Sequence, residues 1–159
     1  MFTQMKYEGT LESQYAMLAK HLDALLTGEN DLIANLSNAS ALLNQFLQEI
    51  NWVGFYLMKD GELVLGPFQG LPACVRIAVG RGVCGTAVEQ KKTIVVADVH
   101  TFPGHIACDA ASNSEIVIPL LKEDKVIGVL DIDSPIKSRF SEDDARGLTI
   151  FVQTLLKHL

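Results

Sequence analysis

Three cysteines supply the most reactive side chains of this 159-residue chain, and each stands beside a glycine-bearing turn or in a polar loop. Cys74 follows the segment GLPA, Cys84 sits within GRGVCGTA, and Cys108 lies near the end of DVHTFPGHIACD. The last of these runs, Asp98–Asp109, also holds His100 and His105, and its Pro103-Gly104 pair supplies turn chemistry. Loops of this composition carry function when a rigid scaffold holds them. Cys108 then reads in two ways, as a reactive or ligating thiol or as a small hydrophobe that packs. No CxxC pair occurs, and the Cys and His separations are not those of a compact structural zinc site. Thiol redox chemistry fits the three positions better: one cysteine attacks, and a second resolves the product as a disulfide. Neither His100 nor His105 is assigned a catalytic role.

The second group with chemical potential is acidic. Period two places Asp131 and Asp133 on one face of the run VLDID, with Leu130 and Ile132 on the other. Aspartate is depleted in strands, and burying one without a partner is costly. The pair therefore reads as facing a cationic ligand group, although Asp133 beside Ser134-Pro135 also fits a frayed strand end. Glu115 opens the preceding strand. A turn at KEDK that pairs Leu121 with Val126 sets Glu115 opposite Ile132, on the wrong face. One bulge or a one-residue shift brings it opposite Asp131 or Asp133. Three converging carboxyls suit an ammonium group, a metal, or an acid that must keep its proton. Trp52 and Tyr56 share a strand face with Gly54 between them. They read either as ordinary core or as the walls of an apolar pocket whose gap a ligand fills.

The elements that must position these groups follow from periodicity. Apolar residues recur at helical spacing over residues 7–26 (Leu11, Tyr15, Leu18, Leu22, Leu25) and about 30–50 (Leu32, Leu36, Ala39, Leu43, Phe46, Ile50). From Trp52 the period changes to that of strands. WVGFYLMK and ELVLGPF flank Asp60-Gly61, a strong hairpin signal. Pro67 makes the return strand irregular or an edge. CVRIAV, a short helix at GVCGTAVEQKK, and TIVVAD come next. EIVIPLL, a turn at KEDK, and VIGVLDID form a second hairpin. Ser141 with Asp144 resembles a capping box that opens a last helix over about 142–158. The glycines at 80, 82 and 85 do not have the spacing of a dinucleotide fingerprint. The order predicts one α+β domain over 1–159, with amino-terminal helices at about 7–50 and a sheet with loops at about 52–135. That sheet is about six-stranded and mainly antiparallel, with helices on one face.

Composition limits the function classes. An apolar content of 48% with 20% charged residues fits an ordered protein. The net charge of −6, without a basic cluster, disfavours a nucleic-acid binder. The amino terminus has no apolar signal-type run, and no stretch is long enough to span a bilayer, so a cytoplasmic protein without membrane contact is expected.

GPFQG…AC (66–74), GRGVCGTA (80–87), DVHTFPGHIACD (98–109), SEIVIPL (114–120) and GVLDIDSP (128–135) together resemble the free methionine-(R)-sulfoxide reductases, stand-alone enzymes with the GAF fold. The resemblance spans nearly the whole chain. It implies Cys108 as the catalytic cysteine, Cys74 as the principal resolving cysteine, and Cys84 as a third that joins disulfide exchange. It implies Glu115, Asp131 and Asp133 as the carboxyls around the substrate, and Trp52 and Tyr56 as the wall near its methylthio end; in the mechanism expected from this set, one acid of the cluster, Glu115, gives the departing oxygen its proton directly or through water. The implied substrate is free methionine sulfoxide. The implied reductant is thioredoxin or an equivalent dithiol, in a cytoplasmic setting of oxidative stress, with no metal and no cofactor. A homodimer through the amino-terminal helices is compatible with the family pattern. The competing class is a GAF-type sensor that binds a small ligand.

Overall fold

The computed structural model describes residues 2–106 and 108–159, so Ala107 of the HIACD segment lies outside them. Two helices open the chain, α1 (Leu11–Leu26) and α2 (Leu32–Phe46). Each starts where a side chain caps it: Thr10 accepts from the Ser13 N–H, and Asp31 from the Ala34 N–H. These caps shorten both helices relative to the apolar periodicity. Leu11 and Leu32, expected on the buried stripes, are exposed instead, because each is the first residue of its helix and projects beyond the layer beneath.

Six strands follow: β1 (Trp52–Lys59), β2 (Glu62–Gly70), β3 (Arg76–Ala78), β4 (Ile94–Val96), β5 (Ser114–Lys122) and β6 (Lys125–Ser134). A short helix, α3 (Gly82–Gln90), separates β3 from β4, and α4 (Glu142–Leu156) ends the chain. The sheet order is β3-β2-β1-β6-β5-β4, and every pairing is antiparallel. Pro67 is accommodated as expected of an irregular strand. The β1–β2 register shifts between Gly54 and Tyr56, and β3 pairs only with the far half of β2, at Glu62–Val64.

Side chains alternate across the sheet. Val53, Phe55 and Leu57 of β1, Ile116, Ile118 and Leu120 of β5, and Leu130 and Ile132 of β6 form one core with α1, α2 and α4. Tyr15 of α1 donates to Asp144 at 2.7 Å, and Asp144 also completes the capping box with Ser141. The opposite face carries Trp52, Tyr56, Val117 and Val129 under α3, with Cys84 in the same apolar layer. The three long helices thus share one face, as expected, while α3 takes the other. Gly85 lets α3 approach the end of β3 so closely that a Cβ there would lie 2.4 Å from the Ala78 carbonyl oxygen.

Gly54 corrects an expectation. The gap between Trp52 and Tyr56 is not open to a ligand, because a Cβ on Gly54 would lie 2.2 Å from the Phe68 Cβ and 2.9 Å from the Pro67 carbonyl oxygen. The β2 irregularity pushes Phe68 into that space, where its ring stacks on Trp52 with centroids 5.1 Å apart. Gly54→Ala is therefore expected to cost roughly 2–3 kcal/mol in denaturant unfolding through overpacking. A change below about 0.5 kcal/mol would show that the β2 backbone yields freely.

Candidate active site

The hairpin β5–β6 decides where the carboxyls go. Its turn pairs Lys122 with Lys125 and Leu121 with Val126, and Glu123 and Asp124 both take positive φ. Unbroken, that register would set Glu115 opposite Ile132. The register instead shifts between Leu120 and Leu121, so that Leu120 pairs with Gly128 and Ile127 is the extra residue. Glu115 then pairs with Asp133, and the β1 register brings Gly54 opposite Asp131 and Trp52 opposite Asp133. One bulge thus gathers Glu115, Asp131 and Asp133 on the α3 face of the sheet.

These carboxyls line a cavity with Trp52, Tyr56, Cys84 and Cys108. Glu115 is 5% exposed and Asp131 is 6% exposed. Burial, with Asp133 alongside, pushes the Glu115 carboxyl up to about 8. Burial also holds Asp131 well above the usual carboxylate range, with Glu115 adding to it. Asp133 is raised by burial and then by the charges of Asp131 and Asp109. All three carboxyls are thus pushed toward their protonated forms, which lessens the negative charge that a nearby thiolate meets. The Asp131 Oδ1 atom is buried without a hydrogen-bond partner among the described residues, and a donor such as an ammonium would satisfy it. The sulfur of Cys84 and one oxygen each of Glu115 and Asp131 lie within 4.8 Å of one another. That donor set suits a borderline cation such as zinc only after all three give up their protons, and burial opposes this at Cys84, Glu115 and Asp131 alike.

The cysteines divide into a pair and a single thiol. Cys74 and Cys108 form a disulfide with Cα atoms 5.8 Å apart, and Cys108 lines the cavity. Cys84 is a free thiol inside it, and burial followed by the charge of Asp131 pushes its pKa well up. The two aromatics do more than form a wall. Trp52 Nε1 donates to the Leu71 carbonyl at 3.2 Å, and the Tyr56 hydroxyl donates to the Cys74 carbonyl at 2.8 Å. Both therefore hold the segment that presents Cys74.

Other residues converge to which the sequence reading assigned no role. His105 lines the cavity with its Nε2 3.7 Å from Glu115 Oε1. Burial lowers the His105 pKa while that of Glu115 is raised, so the two face each other as neutral groups rather than as an ion pair. Its place three residues before Cys108 was the one available signal. Asn51, Asp109 and Ser112 form a hydrogen-bonded group beside the disulfide. The Cys108 N–H is engaged by the Ile106 carbonyl at 3.1 Å, so it is not free to receive an anion in this form.

The chain matches the GAF domain family over residues 37–156. It is 57% identical to a curated free methionine-R-sulfoxide reductase of Escherichia coli K12, over 91% of this chain and 88% of that protein. A solved structure described as fRMsr of Staphylococcus aureus in its reduced form superposes with a TM-score of 0.89 at 55% identity, covering 100% of this chain and 99% of that one. A free methionine-R-sulfoxide reductase from Neisseria meningitidis, solved in complex with its substrate, gives a TM-score of 0.93 at 41% identity over 99% and 95% of the two chains. At such identity and coverage, the chain belongs to the free methionine-R-sulfoxide reductase family, whose scaffold here is a GAF domain.

Proposed function

We propose that this protein reduces free L-methionine-(R)-S-oxide to L-methionine. The observation that carries this reading is one cavity lined by Cys108, which is bonded to Cys74, by the buried carboxyls of Glu115 and Asp131, and by the part-buried Asp133. Family membership supports the same reaction. The free amino acid brings an ammonium group, which favours ionisation of Asp131 and Asp133 and satisfies Asp131 Oδ1. A peptide-bound residue has no ammonium there. Charge on the aspartates keeps the proton on Glu115, so Glu115 serves as the acid. The substrate carboxylate lies toward Arg81 and the amino end of α3, which line the cavity and where no side chain caps the helix.

The reaction runs in three steps. The Cys108 thiolate attacks the sulfoxide sulfur, Glu115 protonates the oxygen, and the oxygen passes to Cys108 as methionine departs. Cys108 is then a sulfenic acid, and Cys74 attacks it to form the disulfide with loss of water. A dithiol reductant, thioredoxin or an equivalent, takes up the disulfide and restores two thiols. Cys84, a free thiol lining the same cavity as Cys108, is the candidate for disulfide exchange with it.

Incubation with racemic free methionine sulfoxide and dithiothreitol, followed by chromatographic separation of the diastereomers, tests the reading. Loss of the R form alone, with peptide-bound sulfoxide untouched, is the expected result. Turnover of neither form would return the pocket to the sensor class. Cys74→Ser separates the steps: one equivalent of methionine per protein should appear in a burst, with a dimedone-trappable sulfenic acid on Cys108. Thioredoxin-driven turnover should fall by a factor of ten or more, on the order expected when resolution is removed. Unaltered thioredoxin-driven turnover would transfer the resolving role to Cys84.

A further inference from the structure

We propose that Asn51 is a positioning residue for this reaction, holding the turn that carries Cys108 in register with the strand that carries Asp133. The inference rests on Cys108 being the nucleophile, as set out above. Asn51 precedes β1 and is tied in two directions. Its backbone N–H donates to the Asp133 carbonyl at 2.9 Å. Its side-chain Nδ2 donates to Asp109 Oδ2 at 2.9 Å and to Ser112 Oγ at 3.1 Å.

The turn at the other end is a single hydrogen-bonded unit. Asp109 Oδ1 accepts from the Ala111 N–H at 2.8 Å, and the Ser112 N–H donates to the Asp109 carbonyl at 3.2 Å. Within the chain nearby, the Cys108 N–H donates to the Ile106 carbonyl and Asn113 Nδ2 to the Ala111 carbonyl at 3.4 Å. Among the described residues, the ties of the turn 108–112 to residues distant in sequence are the Cys74–Cys108 disulfide and the side chain of Asn51. Reduction removes the first of these. The state in which Cys108 must attack is then the state in which Asn51 is the remaining side-chain tie from a distant part of the chain to the Asp109–Ser112 end of its turn. The amide has its orientation for the same reason: Asp109 demands the NH₂ group, and this leaves Asn51 Oδ1 buried without a partner. The fold itself does not require the side chain, because the backbone N–H already secures the start of β1.

The test is a double-mutant cycle on the reduced protein with free methionine sulfoxide and dithiothreitol. Asn51→Ala is expected to lower kcat by about 10- to 100-fold, the loss that small misplacement of a reacting group produces. KM should change by less than about threefold, since the ammonium site and the aromatic wall are untouched. Asp109→Ala should behave alike, the double variant should be no slower than either single one, and Asp109→Asn, which keeps an acceptor for Asn51, should recover most of the rate. Iodoacetamide labelling of Cys108 should change in step with kcat. Losses that multiply in the double variant, or a parental kcat in Asn51→Ala, would overturn the proposal. Should Asn51→Ala not fold, Asp109→Ala reads the same bond, and a parental kcat there overturns it equally. Cys108→Ser run in parallel separates the two levels. If it is active, the nucleophile assignment itself is wrong. If it is dead while Asn51→Ala is fully active, only the positioning role is wrong.

Discussion

Cys108→Ser is expected to lower sulfoxide reduction by a factor on the order of 10⁴ or more with either thioredoxin or dithiothreitol as reductant. A serine hydroxyl is a poor nucleophile at neutral pH, and it cannot accept the oxygen as a sulfenic acid. Neither Cys74 nor Cys84 can replace it. Cys74 is held by its own carbonyl against Tyr56, and Cys84 has its thiol form enforced by burial. The variant also loses a cross-link between positions 34 residues apart, worth roughly 3–4 kcal/mol in the oxidised protein on chain-entropy grounds. Stability must therefore be compared under reducing conditions, where parent and variant should unfold alike. A variant that kept more than about a hundredth of the parental rate would remove Cys108 from the chemistry.

Glu115→Gln should move activity and stability in opposite directions. The amide keeps the shape of the side chain but cannot give a proton to the departing oxygen, so kcat should fall by about 10²- to 10⁴-fold. The parental kcat/KM should decline as pH rises through about 8, where Glu115 loses its proton, and the variant should lack that limb. Stability follows from the same shift. The folded protein holds the proton up to about 8, whereas an unfolded glutamate releases it near 4.5. The contribution is complete below 4.5 and is lost as pH rises through 8, since over that range the folded state binds more protons than the unfolded one. At pH 9 the buried charge costs at most about 4–5 kcal/mol, and Glu115→Gln should melt higher than the parent there. Near pH 4 the two should converge. Parental activity with a flat pH profile would make Glu115 a bystander and leave the proton to Asp131, Asp133 or water.

Much of this was legible in residue order. Helical and strand periods located all four helices and all six strands, because burial on one face imposes its spacing on the sequence directly. The Asp60-Gly61 turn and the Ser141–Asp144 cap were readable for the same local reason. The alternation in VLDID put both aspartates on one side of β6, and the structure puts Leu130 and Ile132 in the helical core opposite them. The segments around the three cysteines were specific enough to place the chain in its family before any coordinates.

What the tertiary structure alone decided depends on contacts distant in sequence. Which carboxyl meets which turned on a one-residue bulge at Ile127, and periodicity is blind to a single inserted residue. The space beside Gly54 was taken by Phe68, from a strand whose irregularity no pattern in β1 could announce. Asn51, 58 residues from Asp109, reads in the chain as a polar residue before a strand and nothing more. Residue type and spacing determined the chemistry available to this protein, because thiols, carboxyls and aromatic rings carry their reactivity with them. The fold determined their protonation and their partners, because burial and distance exist only once the chain has closed on itself.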